Sequence, residues 1–313
     1  MRHLRMVGLC LVAVFAMAAV AATSASALPE WGQCYAKAGG KYTEGKCHTK
    51  SKVVKKVSNG LFEWRKGTEV KHRGFSGANV GSGGVLSSDL RIRDCNGSSE
   101  NARKPKCKAG EEETISFSPV SVECESESNT GEITGNNGIK NVGVKFLGCS
   151  AFEHSYICSN GPVTGEITTE PLKGSLGYIK KGAPTEVGVL LTPAKAKGLF
   201  AKFSCGGVFS TAVGVGNAKE GAAYSPEATG GYDGIISPVT PINEMGSELT
   251  QVYAINNAEA AENIPMKFEG KHIDLLESYL FPPSNPSYGS TWSKAGETIT
   301  NVNTSEEELE IKA

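Results

Sequence analysis

Apolar and polar residues alternate over short runs through much of this chain, a pattern typical of strands that bury one face. Three segments show it most clearly, at 120–124, 142–146 and 199–205. In the first, Val120 and Val122 share one face and the polar residues between them share the other. No segment keeps a helical period for more than three turns. The chain is therefore predicted to be all-β.

Further runs enriched in Val, Ile and Thr predict additional strands, and Asn136 to Gly138 predicts a tight turn. The additional strands are predicted at 165–169, 172–179, 186–191, 207–215, 234–239, 249–255, 297–302 and 308–311. Pro238 and Pro241 indicate an edge strand or a strand end. Segment 272–280 fits either a two-turn helix or a strand, and its surroundings favour a strand. We expect a disulfide-stapled antiparallel β-sandwich or a partly closed barrel, with a small N-terminal hairpin unit.

The first 27 residues have the features of a secretory signal peptide. Arg2 and Arg5 precede an uncharged apolar run, and Ala25-Ser-Ala27 resembles a cleavage site. The alternative is a membrane anchor, but the run is short and Ala-rich for a bilayer span. Because no later segment is long and apolar enough to span a membrane, we predict a secreted or envelope-associated protein with no transmembrane segment after cleavage.

Eight cysteines follow this N-terminal segment, and an even number in an exported protein predicts disulfide bonds. Their spacing favours four pairs: Cys34–Cys47, Cys95–Cys107, Cys124–Cys149 and Cys158–Cys205. The competing interpretation is a zinc site. Cys47 and His48 with Cys34 upstream lack the paired spacing of zinc ligands, so no metal is predicted.

Composition changes along the chain suggest three parts after the signal peptide. Residues 28–64 form a small disulfide-closed unit, 65–110 a basic Gly/Ser-rich excursion, and 111–313 the main β domain. Between 65 and 109 there are ten Lys or Arg and four acidic residues. This excursion is interpreted as a flexible surface segment, either a solvated loop or a patch for an anionic polymer.

The sequence contains no catalytic or cofactor motif. Gly74-Phe-Ser-Gly-Ala78 departs from the nucleophile motif G-x-S-x-G at its last position. The glycine-rich stretch 81–84 lacks the lysine and following helix of a phosphate-binding loop. No catalytic, cofactor-binding or metal-binding residue is therefore predicted. The near-neutral formal charge of −1 argues against nucleic acid as the main partner.

Two sets of side chains could nevertheless serve a carbohydrate-related function. Glu132, Glu166 and Glu170 lie on predicted strands, and glycosidases use two carboxylates at a fixed separation. Exposed aromatic rings can stack on sugars, and the candidates for that role are Trp31, Trp64, Tyr288 and Trp292. Solvated glutamates and locally packed aromatic rings are the simpler interpretation of both sets.

Several strings taken together resemble a family of uncharacterised secreted proteins that occurs in many copies in certain soil actinobacteria. They include Pro29-Glu-Trp-Gly-Gln-Cys34, Leu199-Phe-Ala-Lys-Phe-Ser-Cys-Gly206 and Pro238-Val-Thr-Pro-Ile-Asn243. The resemblance covers about 28–64 and 111–313, and 65–109 departs from it. It implies export and a bacterial envelope setting. The family has no known activity, so it supplies no functional residues.

The leading hypothesis is a non-enzymatic envelope or extracellular protein that binds a cell-wall polymer, a glycan or another protein. The alternative is an extracellular, glycosidase-like hydrolase that uses a pair of glutamates.

Overall fold

The computed structural model describes the chain in thirteen segments. They are residues 27–54, 57–67, 74–81, 83–95, 113–195, 198–207, 209–215, 234–257, 262–263, 267–270, 272–273, 276–281 and 293–313. The predicted signal peptide lies outside them, except for Ala27. Strands and turns make up the described residues, and these contain no α-helix, hence none that could cross a bilayer. The all-β prediction is confirmed.

The described chain contains 24 strands. The first twelve are β1 (Glu30–Gly40), β2 (Val53–Val54), β3 (Val57–Ser58), β4 (Gly60–Lys66), β5 (Gly74–Asn79), β6 (Val85–Cys95), β7 (Glu113–Glu123), β8 (Ser126–Thr134), β9 (Gly138–Leu147), β10 (Ser150–Ala151), β11 (Tyr156–Ser159) and β12 (Ile167–Thr168). The others are β13 (Leu172–Lys180), β14 (Glu186–Pro193), β15 (Ala201–Cys205), β16 (Phe209–Val215), β17 (Ile235–Thr240), β18 (Gly246–Tyr253), β19 (Ile255–Asn257), β20 (Glu262–Asn263), β21 (Lys267–Phe268), β22 (His272–Ile273), β23 (Leu276–Phe281) and β24 (Ser293–Lys312).

Eight of these strands close into a barrel, entirely through antiparallel pairs. Around the barrel the order is β5, β8, β9, β13, β14, β17, β18 and β24, and β24 returns to β5. Closure leaves none of the eight with an unpaired edge, which is how barrels avoid edge-to-edge association. Of the two architectures expected from the sequence, the structure has the barrel, and its closure is complete.

A second circuit of antiparallel pairs shares β24 with the barrel. It runs through β6, β7, β10, β11, β15, β16 and β23 before returning to β24. The first part of β24, from Ser293 to Thr298, pairs within this second ring. The part from Ile299 onward pairs within the barrel. The 20-residue β24 therefore joins the two rings, and it replaces the two separate strands expected at 297–302 and 308–311.

The N-terminal hairpin adds outer strands to the barrel. β1 pairs with β4 across Gly32–Lys66 to Gly40–Gly60, and it also pairs with the end of β24 from Glu30 to Gly32. Trp31 is 5% exposed and belongs to the main hydrophobic core. Trp64 covers the backbone at Gly32 on the same hairpin. The hairpin is therefore attached to the body of the protein through its backbone and through Trp31.

The interpretation of 65–110 as a flexible excursion is wrong for its described residues. Gly74–Asn79 forms β5, a strand of the barrel wall, and Val85–Cys95 forms β6 of the second ring. The Gly and Ser content suggested a flexible surface segment. In β5, however, these small residues make room for side chains of neighbouring strands. A Cβ on Gly77 would touch Asn303 and Asn129. The stretch 96–110 lies outside the described residues.

Three of the four predicted disulfides are present, namely Cys34–Cys47, Cys124–Cys149 and Cys158–Cys205. The fourth predicted pair, Cys95–Cys107, includes a cysteine outside the described residues. Cys158 and Cys205 are direct partners across β11 and β15. Cys124 lies between β7 and β8, and Cys149 lies between β9 and β10. Each of those positions is a passage between the two rings, so the Cys124–Cys149 bond ties the two passages together.

Two further expectations about strands can be compared with the structure. Segment 272–280 is extended where it is described, in β22 and β23, which confirms the strand interpretation. Pro238 lies within β17, which is paired on both sides and is not an edge strand. The proline is tolerated because its pairing with β14 ends at Pro238 and pairing with β18 starts at Val239.

Candidate functional site

The interior of the barrel has one apolar side. Inward-facing residues on β9, β13, β14 and β17 are buried aliphatic side chains, as the alternation within each strand requires. Representative members are Val142, Leu172, Leu176, Val189 and Val239, each less than 5% exposed. These side chains belong to one continuous hydrophobic core with residues of the second ring. This half of the barrel is an ordinary packed β interior.

The opposite side, formed by β8, β5, β24 and β18, carries buried polar side chains. We call this set the polar wall: Glu127, Asn129, Gln251, Asn301 and Asn303. Glu127, Asn129, Asn301 and Asn303 are between 2% and 8% exposed. They occupy alternate positions on their strands, so they share the inward face with Ile133 and Ile299.

Strand register brings the members of the polar wall together. Asn301 is the direct partner of Gln251 on one side and of Asn79 on the other. The backbone N–H of Glu127 donates to Asn79 Oδ1 at 2.7 Å. Side chains in register on neighbouring strands lie about 5 Å apart, so these groups form a row across the wall.

Gly77 lets two asparagines of the wall approach each other. It is the strand partner of both Asn129 and Asn303, and it lies between them. A Cβ at this position would touch Asn303 Oδ1 and would lie 2.8 Å from Asn129 Nδ2. Because glycine has no side chain, the amide groups of Asn129 and Asn303 both extend into the space beside Gly77.

Internal hydrogen bonds satisfy only part of the polar wall. Asn129 Nδ2 donates to Glu127 Oε1 at 3.2 Å, and Asn303 Nδ2 donates to Gln251 Oε1 at 2.9 Å. Four buried oxygens of the wall have no partner among the described residues: Glu127 Oε2, Asn129 Oδ1, Asn301 Oδ1 and Asn303 Oδ1. A buried acceptor without a donor costs about 1–3 kcal/mol, so four on one wall constitute an unusual concentration of unmet hydrogen-bonding capacity.

Burial raises the pKa of Glu127 to about 7, and the hydrogen bond from Asn129 acts in the opposite direction. The charged form is disfavoured because the carboxyl group has left water without gaining a cationic partner. Glu127 is thus poised between its neutral and ionised forms near physiological pH. Such a group responds strongly to any charge that is placed beside it.

Two adjoining cavities lie against the polar wall. One, of about 50 Å³, lies inside the barrel and is lined by Asn129, Asn301 and Asn303 among mainly apolar residues. The other, of about 90 Å³, extends between the barrel and the second ring and is mainly apolar, with Thr169, Glu297 and Asn301 as its polar lining residues. Asn301 and Tyr253 line both. A single water molecule needs only about 10–15 Å³ of cavity volume open to a water-sized sphere. Each of the two cavities can therefore accommodate more than one water molecule.

The glutamates considered for hydrolase chemistry lie elsewhere. Glu132 accepts a hydrogen bond from Asn141 and pairs with Lys140 at 3.4 Å. The hydrogen bond first, and then the positive charge of Lys140, lower the pKa of Glu132. Glu166 pairs with Lys145 at 3.2 Å. Glu170 is exposed. Each of the two paired glutamates is bound to its own lysine on the outer face of β9, so neither joins the polar wall.

The structure describes two of the four aromatic residues considered for sugar stacking, Trp31 and Trp64. Trp31 is buried and lines the barrel cavity, where a sugar ring at the surface could not reach it. Trp64 is half-buried, and Lys312 Nζ lies 4.4 Å from the centre of its ring. Tyr288 and Trp292 are outside the described residues. Among the described cysteine, histidine and acidic side chains, no group of three or more is arranged to hold a metal ion.

Sequence reasoning missed the polar wall because asparagine in a short run indicates a turn. The available signal was the recurrence of asparagine at alternate positions, Asn301 and Asn303 in β24, preceded by Ile299 on the same face. Comparison with protein-family models, with curated proteins and with solved structures found no match to this chain. The resemblance to secreted actinobacterial proteins stays a prediction.

Proposed function

We propose that this chain is an exported binding protein without enzymatic activity, which holds a small, mainly apolar molecule inside the barrel. The observation that carries the proposal is the pair of adjoining cavities, apolar on most sides and bordered by the polar wall. Small-molecule sites are typically concave and largely apolar, with a few polar groups that orient the ligand. Eight-stranded barrels are of a size that can enclose one small ligand.

Export is supported by two features. The N-terminal segment has the composition of a signal peptide. The three disulfides of the described residues are consistent with an oxidising compartment, where such bonds persist. Together the two features support a location outside the cell or in the envelope.

The expectation of a cell-wall polymer, glycan or protein partner rests on the sheet-rich build, the missing nucleophile and the basic segment 65–109. Part of that segment forms β5 and β6, whose backbones are engaged in the two rings. The internal cavities are a better supported site than a surface loop because their lining is fixed by strand register. The proposal therefore places the ligand inside the protein.

The test uses N-phenyl-1-naphthylamine, a neutral apolar dye whose fluorescence rises in apolar surroundings. The oxidised protein, lacking residues 1–27, is titrated with the dye, and saturable enhancement is expected. Ala201 lines the larger cavity and is 6% exposed, so Ala201→Leu places three additional carbons there. Because overfilling a packed site costs about 1–3 kcal/mol, the variant should bind the dye at least about fivefold more weakly.

The matched control is Ala78→Leu, which adds the same atoms on the exposed face of β5. Its dye affinity should equal that of the unmodified protein. Circular dichroism establishes that both variants retain the β fold. No dye binding by the folded protein, or equal binding by folded Ala201→Leu, would contradict an internal ligand site.

A further inference from the structure

We infer that the ligand carries a primary ammonium group, and that the polar wall receives this group between Glu127 and the asparagines. The inference rests on the proposed function, because it assigns chemistry to the ligand of the same cavity. It follows from which atoms of the wall lack partners and from the charge that those atoms can accept.

Within the described residues, the fully buried atoms of the wall that lack a partner are all hydrogen-bond acceptors. The four unpaired atoms are one carboxyl oxygen and three amide oxygens, all buried. Of the amide donors in the wall, the Nδ2 groups of Asn129 and Asn303 are already bound to Glu127 and Gln251. A complementary ligand must therefore supply donors.

A primary ammonium group matches this requirement more closely than other common polar groups. It offers three N–H donors and has no acceptor, whereas a hydroxyl offers a single donor. A carboxylate ligand would bring only acceptors to a wall of acceptors. Asn129 and Asn303 converge over Gly77, and Asn301 borders both cavities, so an ammonium there would leave its apolar chain in the larger cavity.

Glu127 lines neither cavity itself, but it is hydrogen-bonded to Asn129, which does, and from this position it supplies the countercharge. Within the described residues its carboxyl group has one hydrogen-bond partner, Asn129, and no cationic group contributes to its pKa. Burial alone raises that pKa to about 7 against the Asn129 hydrogen bond. An ammonium beside the carboxyl would favour its ionised form and convert an isolated buried charge into a pair.

The test compares hexylamine, hexanol and hexanoate as competitors for bound N-phenyl-1-naphthylamine at pH 7.5. The three share an alkyl chain and differ in the head group. Charge-assisted hydrogen bonds are the stronger kind, so hexylamine should displace the dye at a concentration at least about tenfold lower than hexanoate requires. Hexanol should fall between them.

Variants separate a specific head-group site from general affinity for cations. Glu127→Gln keeps the shape of the side chain and removes its charge, so the preference for hexylamine over hexanoate, each measured against the dye affinity of the same variant, should fall at least about threefold. Glu132→Gln removes an exposed glutamate from the same strand and should leave the preference intact.

The outcomes distinguish the two proposals. Absence of dye binding would overturn the internal site and this inference together. Dye binding with equal displacement by hexylamine and hexanoate would overturn the inference alone, as would an undiminished preference in Glu127→Gln. Displacement of hexylamine by potassium chloride, but not by tetramethylammonium chloride, would assign the wall to a metal cation and refute the ammonium assignment.

Discussion

Replacing Glu127 by glutamine should change how the stability of this protein depends on pH. The carboxyl group has a pKa of about 7 in the folded protein, raised by burial from 4.5. Below pH 4.5 it is neutral in both folded and unfolded chains and contributes nothing to the pH dependence. Between the two values the unfolded chain releases its proton while the folded protein retains it, so unfolding becomes easier as pH rises.

The magnitude follows from the separation of the two pKa values. Each step of one in pKa corresponds to about 1.4 kcal/mol, so the interval from 4.5 to about 7 amounts to roughly 3 kcal/mol. The free energy of unfolding of the unmodified protein, relative to Glu127→Gln, should therefore fall by roughly 3 kcal/mol between pH 4 and pH 8. Most of the fall should occur between pH 4.5 and 7, and the difference should be level above it.

Urea denaturation of both proteins, with disulfides intact and tryptophan fluorescence as the signal, measures this difference at each pH. Titration of all other groups is common to both proteins and cancels in the comparison. Glu132→Gln is the control, because an Asn141 hydrogen bond and Lys140 lower the pKa of Glu132. In this comparison, the free energy of unfolding of the unmodified protein, relative to that of Glu132→Gln, should fall as pH falls. A pH-independent difference for Glu127→Gln would refute the assignment of Glu127 as a buried, unpaired carboxyl.

Two other substitutions test the packing around the rings. Replacing both Cys158 and Cys205 by alanine should lower the free energy of unfolding by about 4 kcal/mol, since the bond spans 47 residues; an unchanged urea midpoint would contradict a stabilising bond. Gly77→Ala should cost about 1–3 kcal/mol, because its Cβ meets Asn303. Gly143→Ala, with open space at its Cβ, should be nearly neutral, and equal losses in both glycine variants would contradict the crowding at β5.

Local features of this fold could be predicted from the sequence because they depend on near neighbours. Alternation placed Val120 and Val122 on a buried face, and both are at most 5% exposed. Cysteine spacing predicted three pairs that the structure contains. Alternation is read within one strand and Cys34–Cys47 closes a loop of 13 residues, so local patterns carry that information, whereas Cys124–Cys149 and Cys158–Cys205 join residues 25 and 47 positions apart.

Closure of the barrel could not be predicted in this way, since it depends on which distant strands pair. β5 was mistaken for loop because its glycines suit a strand only when their neighbours are known. In β24, hydrophobicity alone would place Val302 inside, yet Asn301 and Asn303 are the buried residues and Val302 is half-buried. A buried polar face reverses the rule by which strand orientation is inferred, and the candidate site lies on that face.

The double role of β24 has a consequence for biogenesis. β24 follows every other strand in the sequence, yet both rings need it for closure, and its end pairs with β1 through Glu30 and Lys312. Neither ring can close before β24 has been synthesised, so closure is a late step in folding. Contacts between residues so distant in sequence slow folding. β24 therefore couples the closure of both rings into a single late event.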